Sequence, residues 1–170
     1  MLLYDDCHTR IGCLRFIFKE DGQLVRIMLT DDYWDALMAN HKLKRSYELG
    51  KSVCRQFKEY IHGNRRQFDV PFTLEGTPFQ KQVWETLREI PYGEIRTYSK
   101  VAISIGKPKA IRAVGHANAV NPLPILIPCH RVIGKNNKLT GYAGGVDMKR
   151  QLLEIEDTKK PGGATVKAFS

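Results

Sequence analysis

The sequence predicts a mixed α/β fold, in which a small layer of sheet and helix precedes a mainly helical domain. Apolar residues alternate between residues 14 and 29, as in strands, and recur at helical spacing between residues 47 and 62. Residues 68–80 then contain two prolines and a glycine, and the charge balance changes there. We therefore predict an N-terminal α/β domain over residues 1–75 and a C-terminal domain over residues 76–170.

The N-terminal domain is expected to contain a β-hairpin and a long helix. Leu14, Phe16 and Phe18 share one face of a strand, a Glu-Asp-Gly turn follows, and an apolar strand resumes at Leu24. The later segment YELGKSVCRQFKEYIHGN has the helical period and stops at Gly63. Its apolar stripe consists of Leu49, Val53, Phe57 and Tyr60.

The C-terminal domain is expected to begin with a helix in the segment TPFQKQVWETLREI. Thr77 suits the N-cap position and Pro78 suits the first helical position, while Phe79, Val83 and Leu87 form an apolar stripe. A Pro-Tyr-Gly sequence at residues 91–93 ends this helix.

The segments TYSKVAISIG and AIRAVGHANAV predict a helix-turn-helix, since two short helical patterns flank a break that contains glycine. Thr97 can cap the first helix. The residues expected between the two helices are Val101, Ala102, Ile105, Ile111 and Val114. Arg112 is the one long side chain projecting from the second helix, whose other residues are small: Ala110, Ala113, Gly115, Ala117 and Ala119. Close approach to DNA and tight internal packing both fit such a smooth helix, and the basic surroundings favour DNA.

The last helix is predicted in VDMKRQLLEIE, where apolar residues recur at helical spacing. These residues are Met148, Leu152, Leu153 and Ile155. The remainder, from about residue 158, contains a proline and two glycines and is expected to be a mobile tail.

The net charge of +9 is concentrated in the second half of the chain. Residues 1–76 hold 12 lysines and arginines against 11 acidic residues, whereas residues 77–170 hold 15 against 7. Such a local excess indicates a polyanionic partner, because neutralising phosphates releases counterions. A solvated basic surface that aids solubility is the alternative.

The composition excludes a membrane protein and a dense disulfide framework. No apolar run approaches the about 18–20 residues that a membrane helix needs, and aspartates follow MLLY where a signal peptide would be apolar. We therefore expect a cytoplasmic protein, or a nuclear one in a eukaryote. The 4 cysteines form no CxxC pair, so free thiols are expected. A zinc site built from Cys7, His8 and Cys13, with or without His62 as a further ligand, fits no standard spacing, and we predict no metal.

The stretch ILIPCHRVI, residues 125–133, contains a cysteine, a histidine and an arginine within an otherwise apolar run. Prolines at 122, 124 and 128 exclude a helix, so we predict a buried strand that bends at Pro128 and presents Cys129 at a turn. His130 could accept the thiol proton, Arg131 could add positive field, and Glu156 could orient the histidine. Glu156 follows Leu152 and Leu153 at helical spacing, and a carboxylate on their apolar face needs a partner. A structural cysteine with a backbone-bonded histidine is the alternative.

Residues 76–157 closely resemble the O6-alkylguanine-DNA alkyltransferases, also called methylated-DNA–protein-cysteine methyltransferases. The matching runs are FQKQVW with IPYG, TYSKVA, KPKAIRAVG, NPLPILIPCHRVI, GYAGG and the spacing K-x-x-L-L-x-x-E. The resemblance covers about half of the chain and implies a winged-helix C-terminal domain. The first 75 residues resemble the family only in architecture, which implies a ribonuclease-H-like α/β domain.

The resemblance implies that an alkyl group is transferred from O6 of guanine to Cys129 and that each protein molecule reacts once. Transfer from O4 of thymine is a second reaction that the resemblance allows. The thiol would be activated through a water by His130 and Glu156. Tyr98 would assist the leaving base, and Asn121 would bridge the helical elements near the site. The implied base pocket comprises Val132, Tyr142, Ala143 and Gly144.

On the DNA side, Arg112 would fill the gap left by a flipped nucleotide, because O6 is out of reach of a thiol within the base stack. The other implied DNA contacts are Thr97, Ala110, Ala113 and Gly115. The expected partner is double-stranded DNA containing O6-alkylguanine, bound by a monomer without a cofactor. His116 departs from the small residue often found after RAVG. The rival functions are a non-enzymatic sensor of alkylated DNA, in which the nucleophile position is not cysteine, a winged-helix regulator, and a Cys-His hydrolase.

Overall fold

The structure, a computed structural model, describes residues 1–158. Its contacts divide the chain into two compact units, of which the first is Met1–Glu75 and the second begins at Gly76. The first unit contains the strands Leu2–Thr9 (β1), Gly12–Phe18 (β2), Leu24–Met28 (β3) and Leu43–Arg45 (β4), and the helices Trp34–Asn40 (α1) and Tyr47–Ile61 (α2). A mixed α/β architecture is thus confirmed.

The sheet of the first unit has the strand order β3-β2-β1-β4. The predicted hairpin is present as the antiparallel pair β2 and β3, and Gly22 supplies a positive φ of 89° in its turn. The sequence does not predict β1, because Asp5 and Asp6 interrupt its apolar pattern. Arg45 on the neighbouring strand β4 forms ion pairs with both carboxylates, so the tertiary structure compensates them.

Helix α2 packs against β1, and its N-cap is Ser46, whose side chain accepts a hydrogen bond from the backbone N–H of Leu49. The predicted helix is confirmed, and Val53, Phe57 and Tyr60 are buried. Each of these three positions follows the helical period, so the sequence pattern was sufficient to place this face.

Cys7 of β1 and Cys54 of α2 form a disulfide, with Cα atoms 5.5 Å apart. The prediction of free thiols is therefore wrong for this pair and holds for Cys13 and Cys129. The partners are separated by 47 residues, and only the packing of α2 on β1 brings them together. Within residues 1–158 no group of three or more His, Cys, Asp or Glu side chains could hold a metal ion.

The second unit contains the helices Pro78–Leu87 (α3), Tyr98–Ser104 (α4), Ile111–Ala119 (α5) and Val146–Ile155 (α6), and the parallel strands Arg96–Thr97 (β5) and Val132–Ile133 (β6). Short 3-10 helices lie at Cys129–Arg131 and Lys135–Asn137. The mobile tail was expected to start at about residue 158. Thr158 is buried, and the rest of that segment lies outside the described residues.

Helix α3 begins as predicted with Thr77 as N-cap and Pro78 in the first turn. The Thr77 hydroxyl accepts from the backbone N–H of Gln80, whose side chain accepts from the backbone of Thr77 in a capping box. Trp84 is buried and donates a hydrogen bond of 2.8 Å to the carbonyl of Ala117, which ties α3 to α5.

The helix-turn-helix is formed by α4 and α5, which contact each other directly. Thr97 caps α4 by accepting from the backbone N–H of Lys100 at 3.2 Å. Val101, Ala102 and Ile105 are buried, and so is Val114 on α5. Ile111 was expected to join them, but it is 41% exposed, since it is the first residue of α5 and lies at the end of the helix pair.

The segment 121–128 is not the buried strand that the sequence predicted. It makes a single isolated bridge between Pro124 and Ile127, and Ile125 has a positive φ of 75°. The backbone N–H of Ile127 instead donates to the carbonyl of Leu123 at 2.8 Å, which closes a turn. Proline has no N–H to give to a sheet ladder, so this proline-rich segment is buried as turns rather than as a strand.

Candidate active site

Cys129 is the first residue of the 3-10 helix Cys129–Arg131, which follows Pro128. The turn is held by hydrogen bonds from the Cys129 N–H to the carbonyl of Ile127 and from the Arg131 N–H to the carbonyl of Pro128. The bend predicted at Pro128 is therefore present. Cys129, His130 and Arg131 are all buried, so this short turn carries three chemically active side chains into the core.

Glu156, at the C-cap of α6, contacts the two residues that follow the cysteine, His130 and Arg131. Its Oε2 lies 2.6 Å from Nε2 of His130 and accepts from Nη2 of Arg131 at 3.0 Å, while Oε1 accepts from Nε of Arg131 at 2.8 Å. The backbone N–H of Gly93 adds a further hydrogen bond. Arg131 was expected to supply field at the sulfur, but its guanidinium is bound to Glu156 instead.

The pKa values of Glu156 and His130 are both shifted in this cluster. Burial alone would raise the pKa of Glu156, but the charges and hydrogen bonds of His130 and Arg131 outweigh burial and hold this pKa well below its usual range. Burial lowers the pKa of His130, although Glu156 opposes that shift. The histidine is thus neutral near pH 7, and a neutral ring that donates from Nε2 to Glu156 keeps Nδ1 as its basic nitrogen.

The thiol of Cys129 is protonated in this environment. Burial raises its pKa to about 11, against the opposing effects of a hydrogen bond from Asn121 and the positive charge of Lys149. A thiolate is the reactive form of cysteine, so the reaction needs a group that takes the proton. Of the predicted site residues, Asn121 contacts this thiol, His130 follows it in the same turn, and Glu156 is paired with His130.

Asn121 and Asn118 hold the cysteine turn on its helical side. Nδ2 of Asn121 donates to the carbonyl of Ile127 at 2.9 Å, and its Oδ1 accepts from the N–H of Leu123 at 3.0 Å. Asn118 of α5 is buried and donates to the carbonyl of Cys129 at 3.4 Å. Sequence reasoning missed Asn118. Its position four residues after Val114 puts it on the buried face of α5, and a polar side chain on a buried face was the signal that could have identified it.

Tyr98 and Tyr142 supply two hydroxyl groups near the sulfur. Tyr98, at the start of α4, donates to the carbonyl of Thr140 at 3.2 Å, and burial raises its pKa. Tyr142 is buried, and its hydroxyl has no hydrogen-bond partner among residues 1–158. Burial raises the pKa of Tyr142 well above its usual value, and a negative charge on Cys129 would raise it further. Val132 is buried beside the cysteine turn, whereas Ala143 is exposed and Gly144 is half-buried.

Lys149 of α6 is a site residue to which sequence reasoning assigned no role. Its side chain is fully buried, and Nζ donates to the carbonyls of Val132 at 2.6 Å and Thr140 at 2.8 Å. Burial lowers its pKa to about 8. A lysine three residues before Leu152, on the apolar face of α6, was the signal that could have identified it.

The predicted DNA contacts lie on the helix-turn-helix. Arg112 and Ala113 are exposed on α5, Ala110, Gly115 and Thr97 are half-buried, and a Cβ built on Gly115 would meet no atom within 4 Å. Arg112 forms no hydrogen bond or ion pair within the described part of the chain. Arg112 lies about 9 Å along the helix axis from Asn118, the residue of the same helix that reaches the carbonyl of Cys129.

A helix-turn-helix unit with a buried free cysteine next to a histidine–carboxylate pair indicates a DNA-binding protein that carries out covalent chemistry on its ligand. Comparison with known proteins agrees with this class. Residues 78–158 match the family described as 6-O-methylguanine DNA methyltransferase, DNA binding domain. The constitutive methylated-DNA–protein-cysteine methyltransferase of Bacillus subtilis is 44% identical over 160 residues, which cover 92% of this chain and 96% of that protein. The chain therefore belongs to the methylated-DNA–protein-cysteine methyltransferase family.

Other relatives and solved structures support the same assignment. A methylated-DNA–protein-cysteine methyltransferase of Methanosarcina barkeri is 56% identical over 63% of this chain and 68% of that protein. The crystal structure of the O6-methylguanine methyltransferase of Mycobacterium tuberculosis matches with a TM-score of 0.84 at 38% identity, covering 95% of this chain and 96% of that one. The same organism's protein in complex with DNA matches with a TM-score of 0.79 at 38% identity, over 91% of this chain and 92% of that one. No described helix is long and apolar enough to span a membrane.

Proposed function

We propose that this protein repairs DNA by transferring an alkyl group from O6 of guanine, with O4 of thymine as a possible second site, to Sγ of Cys129. The observation that carries the proposal is the buried turn in which Cys129 precedes a histidine paired at 2.6 Å with Glu156. The thioether product is stable, so each molecule reacts once and the protein is consumed by the repair.

The proposed reaction is a displacement at the alkyl carbon. The thiol proton passes to His130 through a water, and Glu156 stabilises the resulting imidazolium. The sulfur–carbon bond forms as the carbon–O6 bond breaks. The electron pair of the broken bond goes to guanine, which takes up a proton supplied through the hydroxyl of Tyr98.

The proposed substrate is double-stranded DNA containing O6-alkylguanine, bound by a monomer in the cytoplasm, or in the nucleus of a eukaryote. The alkylated base must leave the stack to meet a buried sulfur, which costs a few kcal/mol. Arg112 enters the vacated space from the exposed face of α5, flanked by small residues that allow close approach. Val132 and Tyr142 with the following Ala143 and Gly144 receive the flipped base.

The domain assignment and its finer fold description are part of the proposal. Residues 1–75 form a ribonuclease-H-like α/β domain, for which the order β3-β2-β1-β4 with α2 packed on β1 gives support. Residues 76–170 form a winged-helix domain, supported by α4, α5 and the short β5–β6 pair.

The direct test mixes the protein with a duplex oligonucleotide containing O6-methylguanine and measures the mass of the intact protein. We expect a gain of one methyl group in place of a hydrogen, located at Cys129 by peptide mapping. The gain should be absent in Cys129→Ser and present in Cys13→Ser, which removes the other free thiol. A protein that binds the duplex and stays unmodified would instead be a sensor of alkylated DNA.

A further inference from the structure

A groove of about 570 Å³ lies in the first unit, between helix α2 and strand β1, beside the disulfide of Cys7 and Cys54. Sites for small molecules typically have volumes of about 300–1,000 Å³, so the groove is large enough for one. Cys54 lines the groove and is half-buried, whereas Cys7 is only 1% exposed. A molecule in the groove therefore reaches the disulfide at Cys54.

The outer edge of β1, beside this groove, is paired over only part of its length. Within the described residues, β4 pairs with Leu2–Tyr4 and with no later residue of β1. The carbonyl of Tyr4 accepts from the N–H of Ser46, so the peptide groups of Tyr4 point to the outer side. Those of alternate residues point the same way, which directs the peptide groups of Asp6 and His8 to the uncovered edge. An extended peptide can add to such an edge through main-chain hydrogen bonds.

The charge of the groove favours an anionic ligand. Lys51 lies three residues before Cys54 and Lys58 four residues after it, so both project from the face of α2 that carries the cysteine. Both lysines are exposed, and neither forms an ion pair within residues 1–158. The acidic residues of the lining each pair with arginines: Asp5 and Asp6 with Arg45, and Glu59 with Arg55 and Arg65. The two lysines therefore leave positive charge on both sides of Cys54.

We propose that this groove binds a small acidic peptide thiol, which exchanges with the disulfide at Sγ of Cys54. The thiolate of the ligand attacks this sulfur, a new sulfur–sulfur bond forms between the ligand and Cys54, and the bond between the two cysteines breaks. The electron pair of the broken bond goes to Sγ of Cys7, which takes up the proton that the ligand thiol lost. The edge of β1 holds the ligand's peptide groups, and Lys51 and Lys58 bind its carboxylates. This site is independent of the alkyl transfer proposed for Cys129.

The test incubates the oxidised, folded protein with reduced glutathione as the probe and stops samples at intervals with N-ethylmaleimide before peptide mapping. We expect the first product to carry glutathione on Cys54 and N-ethylmaleimide on Cys7. The comparison thiol is 2-mercaptoethanol, which has neither a carboxylate nor a peptide group, used at the same thiolate concentration. The rate with glutathione should fall as salt is added, because salt screens exposed charges, and the rate with 2-mercaptoethanol should not.

The double variant Lys51→Gln/Lys58→Gln separates the charge of the groove from the chemistry of the disulfide. We expect it to slow exchange with glutathione by roughly three- to tenfold, the effect of removing two exposed charges, and to leave exchange with 2-mercaptoethanol unchanged. Lys44→Gln, which alters an exposed lysine of β4 outside the groove, is the matched control and should leave both rates unchanged.

Three results would overturn the proposal. The first is a glutathione rate that is unchanged in the double variant, or slowed equally with both thiols. The second is attachment of glutathione to Cys7 with Cys54 left as the free thiol. The third is exchange that occurs only after the protein has been unfolded in urea, since the groove exists only in the folded first unit.

Discussion

The carboxylate of Glu156 is buried together with an imidazole and a guanidinium, and each of the three depends on the others. Arg131 binds both carboxylate oxygens and also donates to the carbonyl of Ile90 at 2.7 Å. Removing one partner of such a buried cluster leaves an uncompensated charge, which typically costs about 3–5 kcal/mol. The arginine therefore secures the glutamate, and the glutamate orients the histidine.

Acid should destabilise the second unit in two stages. The pKa of His130 is lowered in the folded protein, so the unfolded chain binds more protons as the pH falls below about 6.5. The pKa of Glu156 is also lowered, so its contribution is complete above about pH 4.3 and is lost as the pH falls further. We expect the free energy of unfolding, measured in urea, to decrease from pH 7 to 5 and again from pH 5 to 3.

The matched variant for the first stage is His130→Asn, which cannot take up a proton. It should be less stable at pH 7 but show a flatter dependence between pH 7 and 5. A wild-type dependence in this variant would assign the first stage to other groups.

At the scale of elements, the disulfide between Cys7 and Cys54 joins the central strand β1 to helix α2. It closes a loop of 47 residues, for which chain entropy predicts stabilisation of about 4 kcal/mol. The packing of Val53, Phe57 and Tyr60 on the sheet forms the same connection without covalent help. The first unit is therefore held by both a core and a covalent bond.

Reduction should lower the stability of the first unit without removing the reactive thiol of the second. We expect dithiothreitol to reduce the unfolding free energy by up to about 4 kcal/mol in wild type and in Cys13→Ser. The double variant Cys7→Ala/Cys54→Ala should be insensitive to the reductant. Non-reducing peptide mapping would show the linked peptides directly, and two free thiols there would contradict the pairing.

At the scale of the whole molecule, the basic excess falls in the half of the chain that carries the helix-turn-helix and the cysteine. Charge of this kind attracts the phosphate backbone regardless of sequence, whereas in the proposed reaction the buried thiol acts on the damaged base. Binding and chemistry therefore involve different side chains of the second half, and variants can separate them.

Arg112→Ala should slow repair of duplex DNA far more than reaction with free O6-benzylguanine. In the proposed mechanism the arginine acts on the duplex, where the base must be extruded, whereas the free base needs no extrusion. We expect a loss of at least about tenfold on the duplex, corresponding to about 1.4 kcal/mol of the few kcal/mol that flipping costs. Single-turnover rates on both substrates measure the effect, with Arg26→Ala, an exposed arginine of the first half, as control. Equal losses on the two substrates would remove the flipping role.

Much of the fold follows from patterns that extend over only a few residues. The hairpin β2–β3, helices α2, α3 and α6, and the caps at Thr77 and Thr97 were all predictable from alternation, period and capping chemistry. The strand β1 was missed because its aspartates are compensated by Arg45 from β4. The segment 121–128 was mistaken for a strand because burial and proline content do not distinguish an extended run from consecutive turns.

The sequence by itself determined the family and the bend that presents Cys129, because Pro128 restricts the backbone locally. Only the tertiary structure decided which distant groups compensate this turn. It directed Arg131 to Glu156 rather than to the sulfur, placed the ammonium of Lys149 on the carbonyls of Val132 and Thr140, and joined Cys7 to Cys54. Each of these contacts links residues on different elements, and the packing of those elements depends on the whole core rather than on any local pattern.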